Sequence, residues 1–318
     1  GKKNIEPVGL QCEYLHNPSG LDIPHPRLSW KMGTTVAVRG QRQTAYQVLV
    51  ASSRELLDKE QGDLWDSGQV SSDESVHIVY DGKTLITGQK CFWKVRLADE
   101  QGNWTSWSEP AYWQMGLFAD DWSAHWIGSA EMESQSVGGR PVDNKMFDPW
   151  FRKTFTLTES LKEALIYVAS IGYHELYVNG CKIGNAVLAP SVTDHKSRAR
   201  YVTYDISHYL KKGENVIALW LGTSWAVFPA YQRNDKPAIP MALAQAEITL
   251  TSGSKVRVIT DGSWKTHASP NVLMGYWDAH HFAGEFYDAS LEINGWNEAG
   301  FDDSEWAEAK VYQPQIMV

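Results

Sequence analysis

Along most of the chain, apolar and polar positions alternate with a period of two, in short runs broken by Gly, Asn and Asp. Over residues 44–51, Tyr46, Val48 and Val50 fall on one face and Gln47 on the other. Cys91, Trp93, Val95 and Leu97 alternate with Phe92, Lys94 and Arg96. Half-buried antiparallel strands require this alternation, because successive side chains leave opposite faces of the sheet. Asp81-Gly82 and Gln101-Gly102-Asn103 mark turns. Only residues 53–60 read as helix, about two turns of it. From Trp150 the pattern resumes: residues 151–157 alternate, and 164–169 are apolar on both faces, as in a strand covered on both sides. Tyr173 to Val178 leads into Asn179-Gly180, the strongest short hairpin signal. Residues 202–206, 216–221 and 242–250 continue the strand pattern, and Asp261-Gly262 marks another turn.

At 318 residues the chain is too long for one ordinary sandwich. The pattern predicts an all-β protein of two consecutive antiparallel β-sandwiches, the first immunoglobulin-like over residues 1–118, the second jelly-roll-like over 119–318. Between them, Trp122 and Trp126 read as aromatic anchors that pack the domains together. Residues 129–149, polar and holding Gly138-Gly139 and Pro141, read as a long surface loop.

Composition narrows the function. The formal net charge of -9 and the absence of a basic block argue against a nucleic-acid partner. No apolar run reaches membrane-spanning length. Cys12, Cys91 and Cys181 have neither zinc spacing nor a C-x-x-C pair, and read as small hydrophobes. Fifteen Trp are an excess, and flat indoles stack on sugar rings; they also fill sandwich cores, the commoner use. No G-x-S-x-G, P-loop or G-x-G-x-x-G is present, which argues against nucleophilic and nucleotide chemistry.

Trp30, Tyr46-x-Val48-x-Val50, Trp93-x-Val95 and the run Trp104 to Pro110 resemble a fibronectin type III domain, with Cys91 or Phe92 where that family starts a strand with a tethering Tyr. The second half carries Leu176-Tyr177-Val178-Asn179-Gly180, Leu188-Ala189-Pro190, Tyr204-Asp205-Ile206, Gly284-Glu285-x-Tyr287-Asp288-Ala289 and Gly295-Trp296-Asn297 with Phe301-Asp302-Asp303-Ser304-x-Trp306. With Pro26-Arg27-Leu28-Ser29-Trp30, Leu64-Trp65-Asp66-Ser67-Gly68 and Asp121-Trp122-x-Ala124-x-Trp126 upstream, this ordered set resembles the N-terminal region of bacterial α-L-rhamnosidases, the second sandwich being galactose-binding-like. The resemblance implies a parent glycoside hydrolase acting on rhamnose-containing glycans outside the cytoplasm. It also implies a C-terminal helical barrel, as partner, that holds the acid and base; this chain alone is then inactive, with no catalytic residue of its own.

Some sandwiches of that family bind L-rhamnose through calcium, which requires several hard oxygens. The resemblance points to Asn179, Asn185, Asp194, Trp225, Tyr231 and Asn234 as carbohydrate-binding candidates, with capping of turns by Asn and Asp as the competing reading. Asn185, Thr223-Ser224 and Ser290 stand where the family has Asp, Asn-Gly and Arg, which weakens the calcium case. Hydrolysis needs two spaced carboxyls. Asp278, Glu285 and Asp288, with His280 and His281, are the nearest internal cluster, but neighbours on a strand face opposite ways, and the Gly284–Ala289 motif reads as a turn and a domain contact. Two other functions stay open: a free-standing carbohydrate-binding protein, and a structural or adhesive two-domain protein.

Overall fold

In the computed structural model the described residues are 5–34, 40–133, 136–137, 140–141, 146–184, 200–223, 226, 239–274 and 284–314. They fall into two compact units, Gly1–Asp121 and Trp122–Val318. No helix among them is long and apolar enough to cross a membrane.

The first unit holds β1 (Ile5–Cys12), β2 (Arg27–Thr34), β3 (Ala45–Ala51), β4 (Trp65–Asp66), β5 (Val70–Ser71), β6 (Ile78–Val79), β7 (Lys90–Ala98) and β8 (Ala111–Gln114). One antiparallel sheet runs β1-β2-β6; the other runs β4-β3-β7-β8, with β5 also on β3. Both contribute to a single core around Trp30, Val48, Val50, Trp93 and Trp113. Trp30 donates its indole N–H to the buried Gln43 Oε1 at 3.0 Å, so the polar edge of a core aromatic is satisfied. Tyr80 supplies a hydroxyl tether that the Cys91–Phe92 strand lacks: fully buried, it donates to the Lys83 carbonyl at 2.7 Å.

Alternation along β3 and β7 predicts one solvated face, yet that face is covered. The short helix α1 (Arg54–Asp58), capped by Ser53 Oγ accepting from Leu56 N at 3.2 Å, lays Leu57 among Leu49, Ala51 and Phe92. Lys94 and Arg96 lie against the Trp107 ring, 5.1 and 4.7 Å from its centroid, so Lys94 is only 7% exposed.

The second unit holds β9 (Trp126–Gly128), β10 (Ser136–Val137), β11 (Arg140–Pro141), β12 (Phe147–Leu157), β13 (Leu161–Ile171), β14 (Tyr173–Val178), β15 (Cys181–Lys182), β16 (Tyr201–Asp205), β17 (Gly213–Gly222), β18 (Met241–Leu250), β19 (Lys255–Ile259), β20 (Lys265–Met274), β21 (Gly284–Tyr287), β22 (Ala307–Glu308) and β23 (Lys310–Tyr312). A seven-stranded antiparallel sheet runs β15-β14-β17-β12-β20-β21, with β22 on β20. A six-stranded one runs β16-β13-β18-β9-β23, with β19 on β18. Phe151, Ile166, Val168, Ile217, Leu219 and Leu221 belong to the core these sheets share. Asn179 and Gly180 turn β14 into β15 with φ of 49° and 81°, the left-handed pair a two-residue hairpin needs.

Two expectations for this region change. The loop predicted over 129–149 is interrupted by α2 (Ala130–Glu133) and by the β10–β11 pair, and it ends early: Met146, Phe147 and Asp148 are buried as β12 begins to pair with β20. Polar composition suggested surface, but pairing of β12 with β20 draws Met146 to Asp148 in. Trp122 and Trp126, predicted as anchors between domains, pack inside the second unit. Trp122 meets Tyr167 and Tyr201 edge-on at 6.5 and 5.7 Å, and Trp126 clusters with Met132, Phe147 and Ile239.

The outward side chains of the seven-stranded sheet position the site. Trp296 and Trp306, from the Gly295–Asn297 and Asp302–Trp306 motifs, stack on Trp150 of β12 with centroids 4.5 and 6.2 Å away and planes 11° and 7° from parallel. Arg152, two residues on and fully buried, forms an ion pair with Asp303, donates to the Glu298 carbonyl at 2.8 Å and lies 5.2 Å from the Phe301 ring centroid. The C-terminal motifs therefore cover part of the outer face.

Candidate functional site

Beyond the Trp150 stack the outer face opens as a cleft of about 250 Å³ whose walls include Asp148, Glu175, Trp220, Asn271, Glu285 and Tyr287. Five neighbouring strands contribute: β14, β17, β12, β20 and β21. Because period two sends Ile217, Leu219 and Leu221 into the core, Trp220 must face outward; the pairing of β12 with β20 shifts register between Phe147 and Pro149, and Asp148, at that irregularity, lines the cleft.

Asp148 is the unusual group. It is 1% exposed. Its Oδ1 accepts from Thr223 N at 2.6 Å and its Oδ2 from Asn271 Nδ2 at 2.6 Å. Burial, then the charge of Glu285, pushes its carboxyl up to about 7, with the Thr223 and Asn271 donors opposing. Glu175 accepts from Tyr177 OH at 2.6 Å and Lys182 Nζ at 2.8 Å. Trp220 is held edge-on to Trp150 and Trp296, with centroids 5.7 and 6.2 Å away, and its indole N–H donates to Ser269 Oγ at 3.1 Å. His174, also on the lining of the cleft, bridges Ser170 Oγ and Tyr204 OH, each at 2.9 Å, and burial pushes its ring down to about 3, keeping it neutral.

Of the residues expected to bind carbohydrate, Asn179 is described and is occupied elsewhere. Its Oδ1 accepts from Val216 N at 2.9 Å, and its Nδ2 donates to Tyr209 O at 2.7 Å and to Asn215 Oδ1 at 2.9 Å. An oxygen turned onto a backbone N–H does not suit a calcium ligand, and among the described residues no three His, Cys, Asp or Glu side chains gather to hold a metal. Asn185, Asp194, Trp225, Tyr231 and Asn234 lie outside the described residues, as do Asp278, His280 and His281. Asp288 caps a turn, its Oδ1 accepting from Ser290 N at 3.0 Å and Ser290 Oγ at 2.6 Å, which lowers its carboxyl. Glu285 does reach the cleft. Sequence reasoning missed Asp148 and Asn271. The available signal was Phe147-Asp148-Pro149-Trp150, one acidic residue among bulky apolar ones at the mouth of a strand.

Two family descriptions match this chain: "Rha78A-like, N-terminal immunoglobulin domain" over residues 7–119 and "Alpha-L-rhamnosidase N-terminal domain" over residues 159–316. The chain belongs to the N-terminal region of the α-L-rhamnosidase family. An α-L-rhamnosidase of Formosa agariphila is 33% identical across 94% of this chain and 32% of its own length, and one of an Alteromonas species is 32% identical across 96% and 33%. The solved α-L-rhamnosidase of Dictyoglumus thermophilum superposes with a TM-score of 0.85 at 36% identity, covering 97% of this chain and 34% of that one. This rhamnosidase region thus spans about a third of the length of the curated relatives it matches. The relatives are larger rhamnosidases in which the same two units stand beside a further part.

Proposed function

We propose that this chain is the accessory N-terminal part of an α-L-rhamnosidase-like glycoside hydrolase acting on rhamnose-containing glycans, and that the bond is cleaved in a C-terminal helical barrel of the same protein. The observation that carries this is the match of both units, in order, to N-terminal rhamnosidase domains within chains about three times as long. Polymeric glycans do not cross membranes, so this reading places the protein outside the cytoplasm. The test is release of nitrophenol from a nitrophenyl α-L-rhamnoside by the protein its uninterrupted gene encodes. Activity that disappears when the region after Val318 is removed supports the reading; an inactive gene product, or equal activity in the 318-residue chain, contradicts it.

The cleft favours a second role within the same chain. Sugar rings present C–H faces to aromatics and hydroxyls to carboxylates and amides, and the cleft brings Trp220, Asn271 and Glu285 together in that combination. We infer that the second sandwich binds a sugar unit there, holding the glycan near the enzyme.

A further inference from the structure

Resting on that glycan-binding reading, we propose that the cleft above Asp148 selects by charge: it takes one neutral sugar ring and rejects uronates. Carboxylates reach it from three strands, Asp148 from β12, Glu175 from β14 and Glu285 from β21, and none of its described lining residues is Lys or Arg. The neighbouring cation, Lys182, is engaged at Glu175 Oε1. Asp148 and Glu175 are already hydrogen-bonded, whereas Glu285, exposed, accepts no hydrogen bond from a described residue. Two carboxylate oxygens pair with the two O–H groups of a vicinal diol, so Glu285 is an acceptor waiting for hydroxyl donors. A uronate brings a fourth negative charge into a partly enclosed site, where like charges are screened less than in water.

Size and shape limit the guest to a ring. The volume of about 250 Å³ lies below the ~300–1,000 Å³ of pockets that enclose drug-sized ligands. Trp220 supplies a flat wall whose orientation is fixed by Trp150, Trp296 and Ser269 before any ligand arrives, so little ordering cost remains.

Isothermal titration calorimetry on the 318-residue protein at pH 8 and low salt tests this with three probes: methyl α-L-rhamnoside, methyl α-galacturonide and methyl glucosaminide. The neutral glycoside is expected to bind, with the uronide at least tenfold weaker and the amino sugar no weaker than the neutral one. Trp220→Ala removes the heat, which locates binding in the cleft. Glu285→Gln narrows the neutral-to-uronide ratio to about threefold or less. A uronide that binds as tightly as the neutral glycoside, or a ratio that Glu285→Gln leaves unchanged, overturns the charge selection while glycan binding stands. Silence from all three sugars in natively folded protein overturns both, and so does heat that survives Trp220→Ala.

Discussion

Asn271 Nδ2 donates to Asp148 Oδ2 at 2.6 Å, tying the adjacent strands β20 and β12 through a carboxyl group almost entirely removed from water. A buried acid of this kind sits in a balance of protons. Asp148 is pushed up from 3.8 to about 7, and the neighbouring His174 is pushed down from 6.5 to about 3, both first by burial. At pH 5 the unfolded chain carries its one proton on His174, and the folded chain carries its one proton on Asp148. Their contributions to the slope of stability with pH therefore cancel between about pH 4 and 6.5. Single variants break the cancellation. Relative to the parent chain, Asp148→Asn leaves only the histidine and so adds a positive slope of stability with pH through that window; His174→Gln leaves only the acid and so adds a negative one. Urea unfolding at several pH values reads both slopes, and parallel profiles for the two variants contradict the assignment.

The Arg152–Asp303 pair holds the C-terminal motifs onto the sheet. Asp303→Ala strands a guanidinium that is fully buried, and is expected to cost about 3–5 kcal/mol. Arg152→Met removes the charge while keeping the volume, and Arg152 Nε is already buried without a partner, so its cost is expected to be clearly smaller. Chemical denaturation of the two variants measures the order; the reverse order contradicts this account.

Asn179 is assigned to the hairpin, not to a ligand. Asn179→Ala breaks three hydrogen bonds at a left-handed position and is expected to cost about 2 kcal/mol, with sugar heat in the cleft unchanged. Loss of binding at full stability contradicts the assignment.

Thiol reactivity separates the three cysteines. Cys12 and Cys91 are buried, and burial pushes both thiols up, Cys91 to about 12; Cys181 is exposed. Native protein at pH 8 is expected to release one equivalent from a disulfide reagent, and unfolded protein three.

Period two, the Asn179-Gly180 turn and the length of the chain made two antiparallel sandwiches legible in the sequence, and the ordered motifs from Pro26 to Trp306 made the rhamnosidase resemblance legible. Coverage of the second face of β3 and β7 was not, because one short helix and the rings of Trp104 and Trp107 supply it, and alternation along a strand carries no record of what lies above it. The cleft was legible only at Glu285. Asp148 and Asn271 lie 123 positions apart and meet through strand register, which a local pattern does not express. Asp148 also sat in a segment whose composition resembled a loop.

Asp148 and Glu285 are two carboxyl groups in one cleft, the inventory that glycoside hydrolysis uses. Glu285 is placed to bind and Asp148 to hold β12, β17 and β20 together, because Asp148 is shielded from solvent and each of its oxygens is taken by a donor. The most direct measurement is prolonged incubation of the purified 318-residue chain, at high concentration, with a nitrophenyl α-L-rhamnoside between pH 5 and 8. Release no faster than in buffer is expected at every pH; release that Asp148→Asn and Glu285→Gln each abolish would contradict the assignment of these carboxyls to a non-catalytic cleft.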